Sequence, residues 1–162
     1  MKQKIVTIGV YGFDQETFFK ALLDANVDTF CDIRIRRGMR GSTYAFVNSS
    51  SLQKRLGELG IRYLHLKNLA PNREIRATQK QEDEMLRVAK RTRKVLGQTF
   101  IQAYENTFLS DFNTVKFIEQ LGQNARVISF FCVEREPEAC HRSLAAKRIA
   151  RDLELQVEHI TP

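Results

Sequence analysis

No stretch of this 162-residue chain approaches the roughly 18 consecutive apolar residues that a membrane-spanning helix requires, so a transmembrane role is not expected. Met1-Lys2-Gln3-Lys4 leads straight into a strand pattern instead of the hydrophobic core of a signal peptide, and a soluble cytoplasmic protein is the expectation. Cysteine is scarce and odd in number, three in all, and none has the regular spacing of a secreted disulfide framework. Reduced thiols are expected, and any disulfide would be regulatory or catalytic. There is no internal repeat, low-complexity tract or linker, so residues 1–162 read as a single domain. Nucleotide fingerprints, phosphate loops and zinc-protease strings are also missing, and neither a dinucleotide nor an ATP cofactor is implied.

What is present is an ordinary globular composition, 43% apolar and 28% charged, in a chain long enough to bury a substantial core. Lys4–Gly9 reads as a first strand, followed by a helix capped near Asp14 with Phe18, Phe19, Leu22 and Leu23 inward and a stop at Asn26. Thr29–Ile33 reads as the second strand, and Arg34–Asn48 as a loop long enough to suggest function. A helix over Ser49–Leu59 ends at Gly60 and leads into a third strand, Ile61–Leu66. The fourth strand is Ala125–Cys132 and the last is Leu155–Ile160. Strands alternating with helices predict an α/β fold: a mainly parallel open sheet of about five strands with helices on both faces.

Between the third and fourth strands, residues 67–122 form a helical insertion, with three helices expected after Pro71. The first spans about Gln79–Leu96, acidic at Glu82, Asp83 and Glu84 and basic at Lys90, Arg91, Arg93 and Lys94, as the helix dipole favours. Asp83 and Arg87 have the spacing of an i,i+4 pair. The second helix carries Phe100, Ile101, Tyr104 and Phe108. The third, capped at Ser110 or Asp111, carries Phe112, Val115, Ile118 and Leu121.

The densest chemistry lies just past the fourth strand. Val127–Cys132 is an apolar run interrupted only by Ser129, which suits a central strand covered on both faces. The chain then turns at Glu134–Pro137 and enters a helix near Glu138–Arg142, with Leu144, Ala145, Ile149 and Leu153 at helical spacing. The run Cys132-x-Glu134-x-x-Pro137-x-x-Cys140-His141-Arg142-Ser143 resembles the signature of the domain of unknown function 488 family. Further features agree: Thr7-Ile8-Gly9, Asp32-x-Arg34, Phe46-x-Asn48, and Gly60-Ile61-x-Tyr63-x-His65-Leu66. One departure is Arg37, where family members usually have proline three residues after the arginine matching Arg34. The resemblance implies a family and leaves the activity to the residues themselves.

In an open parallel sheet the ligand crevice lies at the carboxyl ends of the strands. Those ends would present Gly9 and Gly12, Asp32 with Arg34, His65, and Cys132 with Glu134, joined by Cys140, His141, Arg142 and Ser143 from the following helix start. Catalytic roles fall to Cys132, His141 and Glu134. A thiolate at Cys132 would be activated by His141, Arg142 and a helix N-terminus, although a free cysteine at a strand end is equally read as a small buried hydrophobe. His141 suits proton transfer near neutral pH and Arg142 bidentate binding of a phosphate or carboxylate, against a capping or salt-bridge role for both. Gly9, Asp32, Arg34, His65, Cys140, Arg142 and Ser143 would line an anion or substrate site. Asp32 and Arg34 alternate along the strand end, so the acid could position the arginine for an anion or simply pair with it.

Cys132, Cys140, His141 and Cys31 are zinc-type ligands, but structural zinc favours Cys-x2–4-Cys pairs and seven residues separate Cys132 from Cys140, so no metal is expected. The net charge of +7 is concentrated in the loop carrying Arg34, Arg36, Arg37 and Arg40, and in Arg87–Lys94. Tyr44 and Phe46 follow the arginines, and arginine with aromatics suits stacking on a nucleobase. A nucleic acid or a phosphorylated small molecule is therefore the expected partner, and two functions are open. One is an enzyme acting on a phosphorylated, nucleotide or nucleic-acid substrate through Cys132, His141 and Arg142, which requires Cys132 or His141 to face solvent in a pocket. The other is a noncatalytic nucleic-acid-binding module using the Arg34–Arg40 loop, with Arg36, Arg37 and Arg40 on phosphates, and the basic helix, which requires both basic segments to share a face and the crevice to be filled.

Overall fold

In the computed structural model, which describes residues 2–162, five strands form one all-parallel sheet in the order β3-β2-β4-β1-β5. They are β1 (Lys4–Ile8), β2 (Thr29–Asp32), β3 (Arg62–His65), β4 (Val127–Phe131) and β5 (Val157–Ile160). Alternation of side chains sorts each inner strand between two layers. Ile5, Cys31, Ile128 and Phe130 face one core, and Val6, Ile8, Phe30 and Phe131 face the other. The three central strands are buried on both sides, which is why they read as near-continuous apolar runs.

Helices α1 (Gln15–Asp24) and α2 (Ser49–Glu58) cover the second core, where Phe18 lies edge-on or tilted against Phe13, Phe19, Phe30, Phe46 and Phe131. Asp14 caps α1 by accepting the Thr17 amide at 2.8 Å. Leu23, expected inward, is exposed, because the buried stripe of α1 is Phe18, Phe19 and Leu22. The opposite face carries the insertion and the last helix: α3 (Arg73–Leu86), α4 (Gln98–Tyr104), which runs on into a π-helical turn at Glu105–Leu109, α5 (Thr114–Leu121) and α6 (His141–Asp152).

The insertion is helical as expected, but its boundaries differ. α3 begins six residues earlier than the acidic run suggests, because Asn72 caps it by accepting the Ile75 amide at 2.9 Å. It also ends ten residues earlier, at Leu86, where Arg87 adopts a left-handed conformation with φ 55°. Residues 87–97 are turns instead of a basic helix end. The i,i+4 pair of Asp83 with Arg87 does not form. Asp83 binds Arg93 instead, at 2.6 Å. α5 is capped by Asn113, not by Ser110 or Asp111, and this rotation puts Val115 in solvent with Thr114, Phe117 and Leu121 inward.

Chain reversal sets the site. From β1 the chain passes to the α1 layer, and from β4, its neighbour in the sheet, to the α6 layer. The carboxyl ends of β1 and β4 are thus the point where the winding changes direction, the usual place for a crevice in such sheets.

Candidate functional site

The expected residues do converge on the carboxyl edge: Gly9 after β1, Asp32 ending β2, His65 ending β3, Cys132 after β4. The crevice between β1 and β4 is filled, however, by backbone. Val133 accepts the amides of Val10 at 3.1 Å and Tyr11 at 3.0 Å, and a side chain at Gly9 would collide with the Glu134 carbonyl. Gly9 is a packing glycine here, its missing Cβ taken up by the loop after β4.

Arg142 is fully buried, and two of its nitrogens donate to the carbonyls of Glu134 at 2.6 Å and Arg135 at 3.2 Å. The anion-gripping role read from sequence is corrected accordingly. A guanidinium in the first turn of α6 ties down the loop that precedes it, and only its Nε has no partner. Ser143 closes the same turn, its hydroxyl donating to the Cys140 carbonyl at 3.0 Å.

Asp32 and Arg34 form a buried bidentate pair, Nε to Oδ1 at 2.9 Å and Nη2 to Oδ2 at 2.8 Å. Arg34 also donates to the Val47 carbonyl and lies 4.8 Å over the Phe131 ring. Tyr63 donates to Asp32 at 2.7 Å, and its phenol is pushed up to about 12 by burial and by this carboxylate. His65 meets the Arg34 carbonyl through Nε2 at 2.7 Å. These residues hold the start of the arginine loop; with 4% of its surface exposed, Arg34 does not reach solvent as an anion ligand.

The second group is tighter. Cys132, Cys140 and His141 bring their ligand atoms within 4.8 Å of one another, all buried. Cys140 returns to Cys132 because the loop folds through a 3-10 turn at Pro137–Ala139, so the seven-residue separation that argued against a shared site does not keep them apart. His141 Nδ1 lies 3.6 Å from the Cys140 sulfur and 3.8 Å from the Cys132 sulfur, while Nε2 faces the Ile33 carbonyl at 2.9 Å. The Cys132 thiol donates to Glu134 Oε2 at 3.1 Å. The other oxygen of Glu134 meets Arg93 at 3.3 Å and Lys90 at 3.6 Å.

The expected lowering of the Cys132 pKa is reversed. Burial pushes this thiol up to about 11, the neighbouring Cys140 adds to the shift, and His141 only partly offsets it. Burial likewise raises the Glu134 carboxyl, with Lys90 pulling the other way. Cys31 is a core residue on β2, its thiol raised to about 12 by burial.

A third group was only partly legible. Arg91 lies over the Tyr11 ring at 5.3 Å and the Tyr44 ring at 5.8 Å, and the two rings are 5.2 Å apart. Tyr44 accepts the Gly12 amide at 3.3 Å. Arginine–aromatic composition pointed to Tyr44, but nothing in the sequence joins Arg91 to Tyr11, eighty residues away. Among the described residues, Arg36, Arg37, Arg40, Arg91 and Lys94 make no ion pair, and Arg37 reaches only the Tyr63 hydroxyl, at 3.4 Å.

The fold and this edge define a doubly wound α/β protein whose strand ends carry a buried thiol–imidazole cluster beside an arginine–tyrosine surface. Residues 14–149 match the family described as Domain of unknown function DUF488, and the chain belongs to that family. No curated protein and no solved structure matches it. No helix among the described residues is long and apolar enough to cross a membrane.

Proposed function

We propose that the chain is a noncatalytic nucleic-acid-binding module whose contact surface is the carboxyl edge of the sheet. The observation that carries this reading is Arg91 over Tyr11 and Tyr44, because it joins the turn at 87–97 to the arginine loop at one edge. Half-exposed tyrosine rings offer stacking faces that any base can use, and the unpaired Arg36, Arg37, Arg40 and Lys94 supply phosphate contacts around them. The filled crevice also supports it.

The test is binding of a fluorescent single-stranded oligonucleotide, followed by anisotropy. Tyr44→Ala or Tyr11→Ala is expected to weaken binding by about 1–3 kcal/mol, the range for one stacked base. Replacing Arg36, Arg37 and Arg40 together lowers the salt slope by about 2, since each single-strand phosphate contact contributes roughly 0.7. An unchanged slope would remove the loop from the contact surface.

A second reading, thiol chemistry on a phosphorylated substrate, draws on the grouping of Cys132, Glu134 and His141. Cys132 and His141 are only 6% and 7% exposed, so such chemistry requires the 87–97 segment to lift from Glu134. Rapid alkylation of Cys132 in the folded protein at neutral pH would favour it over the binding module; slow alkylation, with all three thiols reacting only in denaturant, is expected.

A further inference from the structure

The cluster of Cys132, Cys140 and His141 has a use that stands independently of the nucleic-acid surface. We propose that it is a zinc site, with the two sulfurs and His141 Nδ1 as ligands; Glu134, hydrogen-bonded to Cys132 but outside the triangle, would reach the fourth position by a shift of its side chain.

Geometry comes first. In a tetrahedral zinc site, metal–ligand bonds of about 2.3 Å to sulfur and about 2.0–2.1 Å to nitrogen set sulfur–nitrogen edges at roughly 3.5–3.6 Å and a sulfur–sulfur edge at roughly 3.8 Å. The sulfur–nitrogen edges here are 3.6 and 3.8 Å, and the three ligand atoms lie within 4.8 Å of one another. Two segments produce this triangle: the end of β4, which supplies Cys132, and the consecutive Cys140 and His141, where the Pro137–Ala139 turn passes into α6.

The surroundings make a second, separate argument. Metal-bound histidines characteristically donate the far ring N–H to a carbonyl or carboxylate, which fixes the tautomer. His141 Nε2 lies 2.9 Å from the Ile33 carbonyl, so with the proton there the Nδ1 lone pair faces both sulfurs. Without a metal, Glu134 accepts the Cys132 S–H and that lone pair is the acceptor within reach of the Cys140 S–H, so the same atoms that would hold a cation hold each other through weak thiol hydrogen bonds. Binding a divalent cation releases the two thiol protons to solvent and leaves two thiolates on the metal. With the Glu134 carboxylate beside them, the two thiolates bring three negative charges against the two positive charges of the metal. The single charge left over faces Arg93 and Lys90, both already on the other oxygen of Glu134. The donor set of sulfur, imidazole and carboxylate fits zinc better than magnesium or calcium, which favour oxygen alone.

The site would pin the loop 133–139 to both β4 and α6. Through Glu134 it would also fix Arg93, and hence the 87–97 turn that carries Arg91. A metal here would be structural, closed from solvent by burial.

The experiment uses the full chain purified under reductant. Elemental analysis after dialysis is expected to find one zinc per chain. Cobalt(II) added to the chelator-stripped protein is expected to give tetrahedral visible bands and a thiolate-to-cobalt charge-transfer band that saturates at one equivalent. Zinc displaces it. Cys140→Ser halves the charge-transfer intensity, Cys31→Ser leaves it unchanged, and His141→Ala weakens zinc binding by more than the roughly 10–100-fold that loss of an outer partner costs. The unmodified chain decides the matter even if a variant fails to fold. A folded, reduced protein that develops no charge-transfer band in excess cobalt overturns the proposal, as does isolation of a metal-free Cys132–Cys140 disulfide that reductant opens without creating a cobalt site.

Discussion

A β-carbon on Gly9 would fall on the carbonyl oxygen of Glu134 and within 3.0 Å of Arg142 Nη1, so the residue after β1 and the loop after β4 occupy one another's space. The family run at Cys132–Arg142 and the glycine at the end of the first strand, 123 positions before Cys132, are therefore two halves of a single contact. Arg142 holds the same Glu134 carbonyl in place by donating to it.

Gly9→Ala is accordingly expected to destabilise the protein by about 2 kcal/mol or more, because the colliding atoms are backbone and cannot rotate away. Gly38→Ala is the control. Nothing lies within 4 Å of a β-carbon there, and a change within about 0.5 kcal/mol is expected. Urea unfolding followed by circular dichroism measures both, and equal costs would mean that the loop yields easily.

The buried pair of Asp32 and Arg34 gives a second prediction. Arg34→Met leaves Asp32 uncompensated in a site where neither side chain meets solvent, and a loss of about 3–5 kcal/mol is expected. The double variant Asp32→Leu/Arg34→Met should recover much of that loss, because no charge then remains buried. If the double variant is as unstable as the single, the hydrogen bonds from Tyr63 and to Val47 matter more than the charge. Nucleic-acid binding by the recovered double variant separates the loop's support from its contact surface.

The strands and their edge were legible in the sequence because burial on both faces leaves runs such as Val127–Cys132 almost without polar residues. Convergence of Gly9, Asp32, His65 and Cys132 followed from parallel topology alone. What the residues did there was not legible. Arg142 looked like an anion ligand because backbone carbonyl partners carry no residue-type signal, whereas the pairing of Arg34 with Asp32 was one of the two roles that their spacing offered. The same holds for α3. Its acidic-to-basic gradient suited one helix to Leu96, but Arg93 is drawn to Asp83, Glu134 and the Ala139 carbonyl, and those contacts require the chain to turn back after Leu86. Asn72 after Pro71 was an available capping signal for the true start.

The cap at Asp14 predicts a pH dependence whose sign is fixed. The Thr17 amide and then the Thr17 hydroxyl, each at 2.8 Å from the carboxylate, hold this group below its ordinary value of 3.8. A folded pKa below the unfolded one means that the unfolded chain binds the proton more readily, so the contribution is complete above the unfolded value and is lost as pH falls through the folded one. Because α1 brings Phe18 into the centre of an aromatic cluster, fraying at this end loosens the layer over β2 and β4. The melting temperature of Asp14→Ala is therefore expected below that of the unmodified chain near neutral pH, with the gap closing as pH drops below 3.8. Asp14→Asn keeps an acceptor that does not titrate, and its advantage over alanine should persist into acid. A gap between the aspartate and alanine chains that stays constant down to strong acid would mean that the Asp14 charge adds nothing to the cap.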